Sequence, residues 1–416
     1  MTQHNFFSNQ DETEQLYYVQ LLTKVGEISK LFSDSTVPYL YYRAHENIFC
    51  LAFGAENQSR GDISIDASHG EIDGISPRIG LGLKTFLHKN GNTSQKIAEF
   101  NSDRPHFEGE TDRRIIEIVS ELRNIRLEST ENITSTNISS YHLITRSEGF
   151  MRIHETPMEK VNLNKISGVS RNRNVIYFND GVNQYSFNTS KSTLYKKFDL
   201  RSKETFVREF PVKIMDDPYS FLTGERKAPH DELYVESPFA DDYLDLNSIM
   251  GISDIVDEIV LPLYSAKSGL VEERSGLNMW NSSGRPRDMD EVYIPVPKKI
   301  HQIKPEFFPN DGVYKPELEK YKTDSFEVRL PNGKNLSMKV TQDGGKALQS
   351  DPNKALGKWI LREVLELQEG KVVTIQMLEE RGIDSVRISK HSSGMYSMNF
   401  AEIGSYEDFI SGTEKD

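Results

Sequence analysis

DISIDASHGEIDGISPRIGLGLKTFLHKNGNTSQKIAEFN, residues 62–101, is the stretch on which the first half of the chain turns. Asp62, Ser64 and Asp66 alternate with Ile63 and Ile65, so a strand here shows polar groups on one face and apolar groups on the other. After a turn rich in Gly, Asp and Ser, Ile79, Leu81 and Leu83 alternate with Gly80, Gly82 and Lys84, which predicts a second strand closing a hairpin. Lys84 shares its face with two glycines, and such a bare face is expected to admit a ligand close to the backbone. Residues 94–101 read as a helix packed back on the hairpin and carrying Glu99. Two acids on one strand, a lysine on the next and a glutamate beyond form a set that can hold Mg²⁺ through oxygen, the lysine orienting or deprotonating a water. That chemistry is metal-dependent phosphodiester hydrolysis. A nucleotide-binding glycine loop does not fit Gly80-x-Gly82, because these glycines alternate within a strand and do not open a helix.

Outward from this stretch, apolar residues at Leu16, Val19, Leu22, Val25 and Ile28 predict a helix within 12–32. YLYYRAHENIFCLAF, residues 39–53, sets Arg43, Glu46 and Asn47 beside an aromatic and aliphatic face. Residues 109–127 predict a helix with Thr111 as N-cap and Ile115, Ile118 and Leu122 inward, and the polar 131–140 reads as a loop. From 141 the pattern becomes strands, with a hairpin at Asn179-Asp180-Gly181. We read 141–212 as a β extension of a first domain spanning 1–215, and 216–250 as an acidic linker. A mostly β domain over 251–416 follows, with strands in DEIVLPLYS and DEVYIPVP, a hairpin turning at Pro331–Lys334, helices at 354–367 and 374–381, and a closing strand pair.

A chain of 416 residues with 36% hydrophobic and 27% charged residues has room for two or three packed domains. A single cysteine, Cys50, excludes a disulfide framework and a cysteine-based zinc cluster. No apolar run reaches the roughly 18 residues of a membrane span, and the N-terminus lacks a signal-peptide pattern, so the expected compartment is the cytoplasm, without a membrane. A net charge of −13 argues against coating nucleic acid by bulk attraction. The charge is segregated, however. Residues 231–245 hold six acids and no base, whereas 274–304 hold six Lys/Arg against three acids and 329–346 four against one.

The hairpin with its flanking acids resembles the PD-(D/E)XK nucleases, whose core is a mixed sheet flanked by helices, with an Asp on one strand and acid-x-Lys on the next. Here Gly82 stands where the second acid is usual, and in some members that acid moves to the following helix. The resemblance implies a metal-bridging Asp66 or Asp62, a displaced metal ligand at Glu99, a water activator at Lys84 and a first-helix acid at Glu46.

In the second half, ERSGLNMWNSSGRPRDMDEVYIPVP gathers Arg274, Asn278, Trp280, Arg285 and Arg287 around one loop, and KVTQDGGKALQS sets Gln342, Asp343 and Lys346 around a glycine pair. Arginine forks suit guanine edges and phosphates, Asn suits adenine, and an indole stacks or wedges. With the FFP of 307–309, these stretches resemble the C-terminal recognition domain of certain type II restriction endonucleases. That domain is a β pseudobarrel of the plant B-three transcription-factor type that clasps DNA with two arms. The resemblance makes 274–287 one arm and 339–349 the other. Such domains are also found fused to metal-independent phospholipase-D-like nucleases, but the H-x-K pattern these need does not occur here.

The expectation is therefore an α/β nuclease domain followed by a β pseudobarrel, acting as a Mg²⁺-dependent type II restriction endonuclease on double-stranded DNA and working as a homodimer. The alternative is a DNA-binding regulator whose N-terminal half is a dimerisation or effector module.

Overall fold

The structure is a computed structural model that describes residues 6–58, 63–70, 77–219, 255–309, 323–342 and 344–413. Asp62, Asp343 and residues 220–250 of the expected linker lie outside this set. The chain divides into two compact units, one of Met1–Ser59, Ser64–Asn124 and Thr136–Ile252, the other of Arg60–Ile63, Ile125–Ser135 and Ser253–Asp416.

In the first unit, α1 (Glu12–Glu27) starts on a capping box in which Asp11 accepts from the Thr13 N–H at 2.8 Å and Glu14 reaches back to the Asp11 N–H. Helix α2 (Tyr42–Phe53) stops at Gly54, whose φ of 58° supplies the left-handed turn. Among the described residues its strands make two sheets. The first runs β1 (Glu56–Asn57), β2 (Ala67–His69), β3 (Ile79–Leu87), β5 (Ile138–Ser147), β6 (Phe150–Pro157) and β11 (Phe206–Pro211). Strands β3 and β5 are parallel and the other neighbours antiparallel. Leu81, Leu83, Ile144 and Ile153 pack with Tyr18, Leu22, Ile48, Phe49 and Phe53, so α1 and α2 cover one face of this sheet. The second sheet is antiparallel, in the order β4 (Asn92–Glu99), β10 (Thr193–Asp199), β9 (Gln184–Asn188), β8 (Val175–Asn179) and β7 (Ser167–Asn172). Ile115, Ile116 and Val119 from α3 (Asp112–Thr134) pack on its inner face with Ile176, Phe187 and Leu194.

Several expectations change here. The first strand of the hairpin is Ala67–His69, not 62–66, and Asp66 stands just before it. The helix expected over 94–101 is strand β4: it pairs along its length with β10, and pairing of the backbone overrides the local helical spacing. Thr111 does accept from the Arg114 N–H at 3.4 Å, but α3 runs on to Thr134, so most of the expected loop at 131–140 is helix or β5. Three strands of the supposed extension at 141–212, β5, β6 and β11, belong to the first sheet itself.

In the second unit a seven-stranded sheet follows the order β12 (Ile255–Pro262), β17 (Ile383–His391), β18 (Tyr396–Glu402), β14 (Phe326–Arg329), β15 (Asn335–Thr341), β16 (Ala347–Ser350) and β13 (Ile294–Pro295). DEVYIPVP therefore contributes two strand residues, and the closing strand pair and the hairpin across Pro331–Lys334 form as expected. The amphipathic segment begins at Ala355–Gly357 and continues as a π-helix over Lys358–Val364, burying Trp359, Ile360 and Val364. Gly357 is required there, since a Cβ would collide with the Asp290 carbonyl.

Candidate active site and nucleic-acid interface

Strand β2 begins at Ala67, opposite Leu81, so the Leu83 N–H farther along β3 has no β2 carbonyl to meet. Asp66 fills that gap: its backbone N–H donates to the Leu81 carbonyl at 2.8 Å, and Oδ2 accepts the Leu83 N–H at 2.7 Å. Oδ1 carries no hydrogen bond among the described residues. Burial pushes the Asp66 carboxyl above its ordinary value, against the opposing pull of Lys84, the Leu83 N–H and Arg43. Lys84 is half-buried, its Nζ 6.0 Å from the centre of the Tyr141 ring.

From α2, Glu46 joins the same neighbourhood. Its carboxylate is buried and lies 3.2 Å from Arg43 Nη1, one helical turn earlier. The Cys50 thiol, one turn further along, is pushed well up by burial and then by the charges of Glu46, Asp66 and Glu56. Lys84 and Arg43 thus both act on Asp66, and Arg43, which the sequence marked on the helix without giving it a part, pairs with Glu46. Lys84 lies on the Tyr141 side of β3, while α2 packs on the face of Leu81 and Leu83.

Glu99 does not join them. On β4 it lies opposite Thr193, accepts from Lys96 Nζ at 2.9 Å and from the Asn101 amide, and is held below its ordinary value chiefly by Lys96. It is absent from the charges acting on Asp66. Among the described residues no group of three or more His, Cys, Asp or Glu is arranged to hold a metal ion.

The glycine face is not open. A Cβ on Gly82 would meet the Met158 methyl and lie 2.9 Å from the Tyr141 ring, and one on Gly80 would meet Ile65 at 3.0 Å. Beyond Tyr141 lie Phe198, at 5.1 Å between ring centres, and the buried ammonium of Lys196, 5.5 Å from the Tyr141 ring. Burial lowers the Lys196 pKa to about 8. The glycines are small because protein packs on them. The same packing explains why no second acid stands two residues before Lys84.

Behind the site runs a buried chain of polar groups that the sequence did not disclose. The Tyr18 hydroxyl bridges Nε2 of His45 and Nε2 of His142, each at 2.9 Å, and His142 Nδ1 meets Glu155 Oε1 at 2.8 Å. That carboxylate oxygen also accepts the Phe7 N–H at 3.0 Å. All four side chains are sealed from solvent, so the chain ties α1, α2, β5 and β6 together rather than meeting a substrate.

In the second unit the two expected arms lie side by side. Ile294 and Pro295 pair with Leu348 and Ala347, His301 Nε2 meets the Gly345 carbonyl at 2.9 Å, and the Gln349 amide reaches Met279 Sδ at 3.6 Å. Several residues expected to touch DNA are consumed within their own loop. Asn278 is fully buried; its amide donates to the Glu272 and Val373 carbonyls at 3.0 and 2.9 Å and accepts the Val373 N–H at 2.8 Å. Both amide hydrogens are committed and the side chain is sealed from solvent, so Asn278 cannot form the paired contact to adenine and is withdrawn as a base reader. Arg285 forks onto the buried carboxylate of Glu291, and Arg287 Nη1 braces the carbonyls of Ser282, Ser283 and Arg285. Trp280 is half-buried against the core. Arg274 and Lys346 are exposed, and Gln342 takes a positive φ of 70° where β15 gives way to the loop.

No described helix is long and apolar enough to cross a membrane. None of the curated proteins compared with the chain matches it. Residues 256–392, which hold both expected arms and most of the sheet, match the family described as the NgoFVII C-terminal B3-like DNA-binding domain, a domain from a restriction-enzyme family, and this similarity supports DNA as a partner.

Proposed function

We propose that the chain is a type II restriction endonuclease, hydrolysing phosphodiesters of double-stranded DNA at a sequence chosen by its C-terminal domain. The observation that carries this reading is the buried Asp66 carboxyl at the hairpin, on which Lys84 and Arg43 act, with Glu46 paired to Arg43, in a chain whose residues 256–392 match a B3-like DNA-binding domain. Mg²⁺ commonly takes one or two carboxylates and fills its remaining positions with water and phosphate oxygens. Asp66 and Glu46 are oxygen donors of that kind, and the uncommitted Oδ1 of Asp66 favours such a role; Asp62, the sequence alternative, lies outside the described residues. When bound, the ion supplies positive charge to the phosphoryl and leaving oxygens.

The protein's own groups do the rest. Lys84 orients the attacking water toward phosphorus or takes its proton; as the new P–O bond forms, the bond to the leaving oxygen breaks, and that oxygen takes up a proton from solvent. Arg43 holds the Glu46 carboxylate, and its charge acts on the Asp66 carboxyl. Cutting both strands with one such site per chain calls for a homodimer, at least while DNA is bound. Purified protein incubated with genomic DNA and Mg²⁺ should give discrete fragments with one recurring end sequence, and EDTA should prevent it. Lys84→Ala should bind the same duplex and lose cleavage by on the order of 10³-fold, the scale of losing one transition-state contact. A Lys84→Ala protein that still cuts at the wild-type rate sinks the mechanism.

A second reading draws on the lack of three clustered metal donors among the described residues: a DNA-binding regulator without nuclease activity. It predicts intact DNA of retarded mobility under the same conditions, with or without EDTA.

A further inference from the structure

Lys84 is the group that must hold a water in line, yet among the described residues no hydrogen bond or ion pair fixes its ammonium. Its charge acts on Asp66, but charge alone sets no direction. An ammonium on a flexible four-carbon stem wanders unless something holds it, and a displacement of about 1 Å at a reacting centre can cost on the order of 10²-fold in rate. What does lie against Lys84 is the ring of Tyr141, with Nζ 6.0 Å from the ring centre, within reach of a cation–π contact.

The sheet explains how the ring comes to be there. Strands β3 and β5 are parallel, with Gly82 opposite Tyr141 and Lys84 opposite Leu143, so Tyr141 and Lys84 are diagonal neighbours on one face. Gly82 carries no side chain, and a Cβ there would stand 2.9 Å from the Tyr141 ring. The ring therefore occupies the place where an acid-x-Lys spacing would put a carboxylate. Phe198 packs against it at 5.1 Å between centres and 89° between planes, and Tyr141 is buried, so the ring has little freedom of its own. Its hydroxyl has no hydrogen-bond partner among the described residues, so no contact within the chain depends on the oxygen. A second ammonium, that of Lys196, lies 5.5 Å from the same ring centre. Lys196 is sealed from solvent, lies over Phe198 as well at 5.6 Å and donates to the Pro157 carbonyl at 3.3 Å, so it has holds of its own. Lys84 has the ring.

We propose that Tyr141 is a positioning residue for Lys84, the negative face of its ring drawing the ammonium in and fixing the direction from which it meets the water. This inference rests on the nuclease reading above and deepens it by naming what holds the water activator. An aliphatic side chain of similar bulk would fill the same space and exert no such pull on a charge.

The test weakens the electrostatics of the ring and leaves its shape nearly alone. Full-length protein is made as Tyr141→Phe and then, by nonsense suppression, with singly, doubly and triply fluorinated phenylalanine at the same position, since fluorine withdraws charge from the ring face. Tyr141→Phe should cleave at the wild-type kcat. Across the fluorinated series kcat should fall stepwise, by about tenfold at the last member, the scale of one cation–π contact, while KM and melting temperature barely move. A flat series overturns the positioning role, and so does a loss in Tyr141→Phe as large as in the last member. A second readout needs no cleavage. In protein carrying carbon-13-labelled lysine, the ε-methylene signal that vanishes in Lys84→Ala should be displaced by the ring current in wild type and in Tyr141→Phe, and should return to the ordinary lysine position in Tyr141→Leu. An undisplaced signal in the folded wild type overturns the placement of the ring even where DNA is cut. A displaced signal in a wild-type protein that cuts no DNA removes the nuclease reading, and the positioning role falls with it while the contact stands.

Discussion

The hairpin around Asp66 and the loop around Trp280 look alike in sequence, since each sets charged and amide side chains beside glycines. In the structure they spend those side chains differently. At the hairpin β pairing satisfies most of the backbone, so Asp66 gives one oxygen to the one amide left over, that of Leu83, and Lys84 gives nothing to the main chain. In the loop 272–291 little of the backbone is paired in strands, and Asn278 and Arg287 supply the missing partners. Polar residues on a regular scaffold remain available for a ligand, whereas polar residues in a long irregular segment are first drafted to satisfy that segment. After the Lys84 test, the contrast can be broken by stability measurements.

The largest expected effect of this kind falls on the covered glycine. Gly82→Asp would restore the acid-x-Lys spacing, yet it drives a carboxylate into the packed side chains of Tyr141 and Met158. Overpacking alone costs about 1–3 kcal/mol, and the buried charge adds to it. Denaturant unfolding should show the loss, and cleavage should not improve. A variant of wild-type stability with faster cleavage would mean that the face is open after all.

Asn278→Ala is next. Removing an amide that serves three backbone groups leaves the Val373 N–H unpaired in the core, at a cost of about 2–3 kcal/mol. The variant should melt earlier, and the affinity of its folded fraction for DNA should be unchanged. Lost affinity without lost stability would return Asn278 to the list of base contacts.

The sequence disclosed periodicity well and long-range pairing poorly. Helices α1 and α2, the strand with Lys84 and the closing pair of the second unit follow from the spacing of Leu, Ile and Phe. Residues 94–101 failed because Ile97 and Ala98 suit a helix locally, while β10, about a hundred residues later, claims their backbone. Glu99 was misplaced for that reason alone. Gly82 was misread because an absent side chain says equally that a ligand or a protein atom comes close; Met158 and Tyr141 decide it, and neither is near in sequence. The strand expected to carry Asp66 starts only at Ala67, after it, whereas Glu46 and Lys84 were legible because each lies on an element whose period was clear. The Tyr18–His45–His142–Glu155 chain was not, since nothing in the spacing of residues 18, 45, 142 and 155 indicates that they meet.

Histidines sharpen the contrast at acid pH. His154 is pressed down to about 4, chiefly by burial and then by His88 and Arg152, and neither ring nitrogen has a hydrogen-bond partner. Its folded pKa lies below the unfolded value near 6.5, so the unfolded chain binds the proton first and stability falls as pH drops through that window. The slope approaches about 1.4 kcal/mol per pH unit for one such group. His45, also held neutral by burial, acts in the same direction. His154→Leu should therefore lessen the difference in stability between pH 7.5 and pH 5 by about 2 kcal/mol. An unchanged difference would place the titrating groups elsewhere.

The smallest effect belongs to Arg274, the exposed cation of the first arm. Because it is exposed and no loop contact holds it, Arg274→Ala should leave unfolding within about 0.5 kcal/mol of wild type, as surface substitutions usually do. If the guanidinium meets a phosphate, the variant should bind every sequence more weakly by a similar factor, and the slope of log affinity against log salt should shrink by about 1. If it reads a guanine edge instead, the loss should concentrate on one base pair at about 1–3 kcal/mol. Titrations of target and substituted duplexes at several salt concentrations separate the two. Either result puts DNA on the arm at Arg274, and no effect on any duplex would move the interface to the neighbouring arm with Lys346.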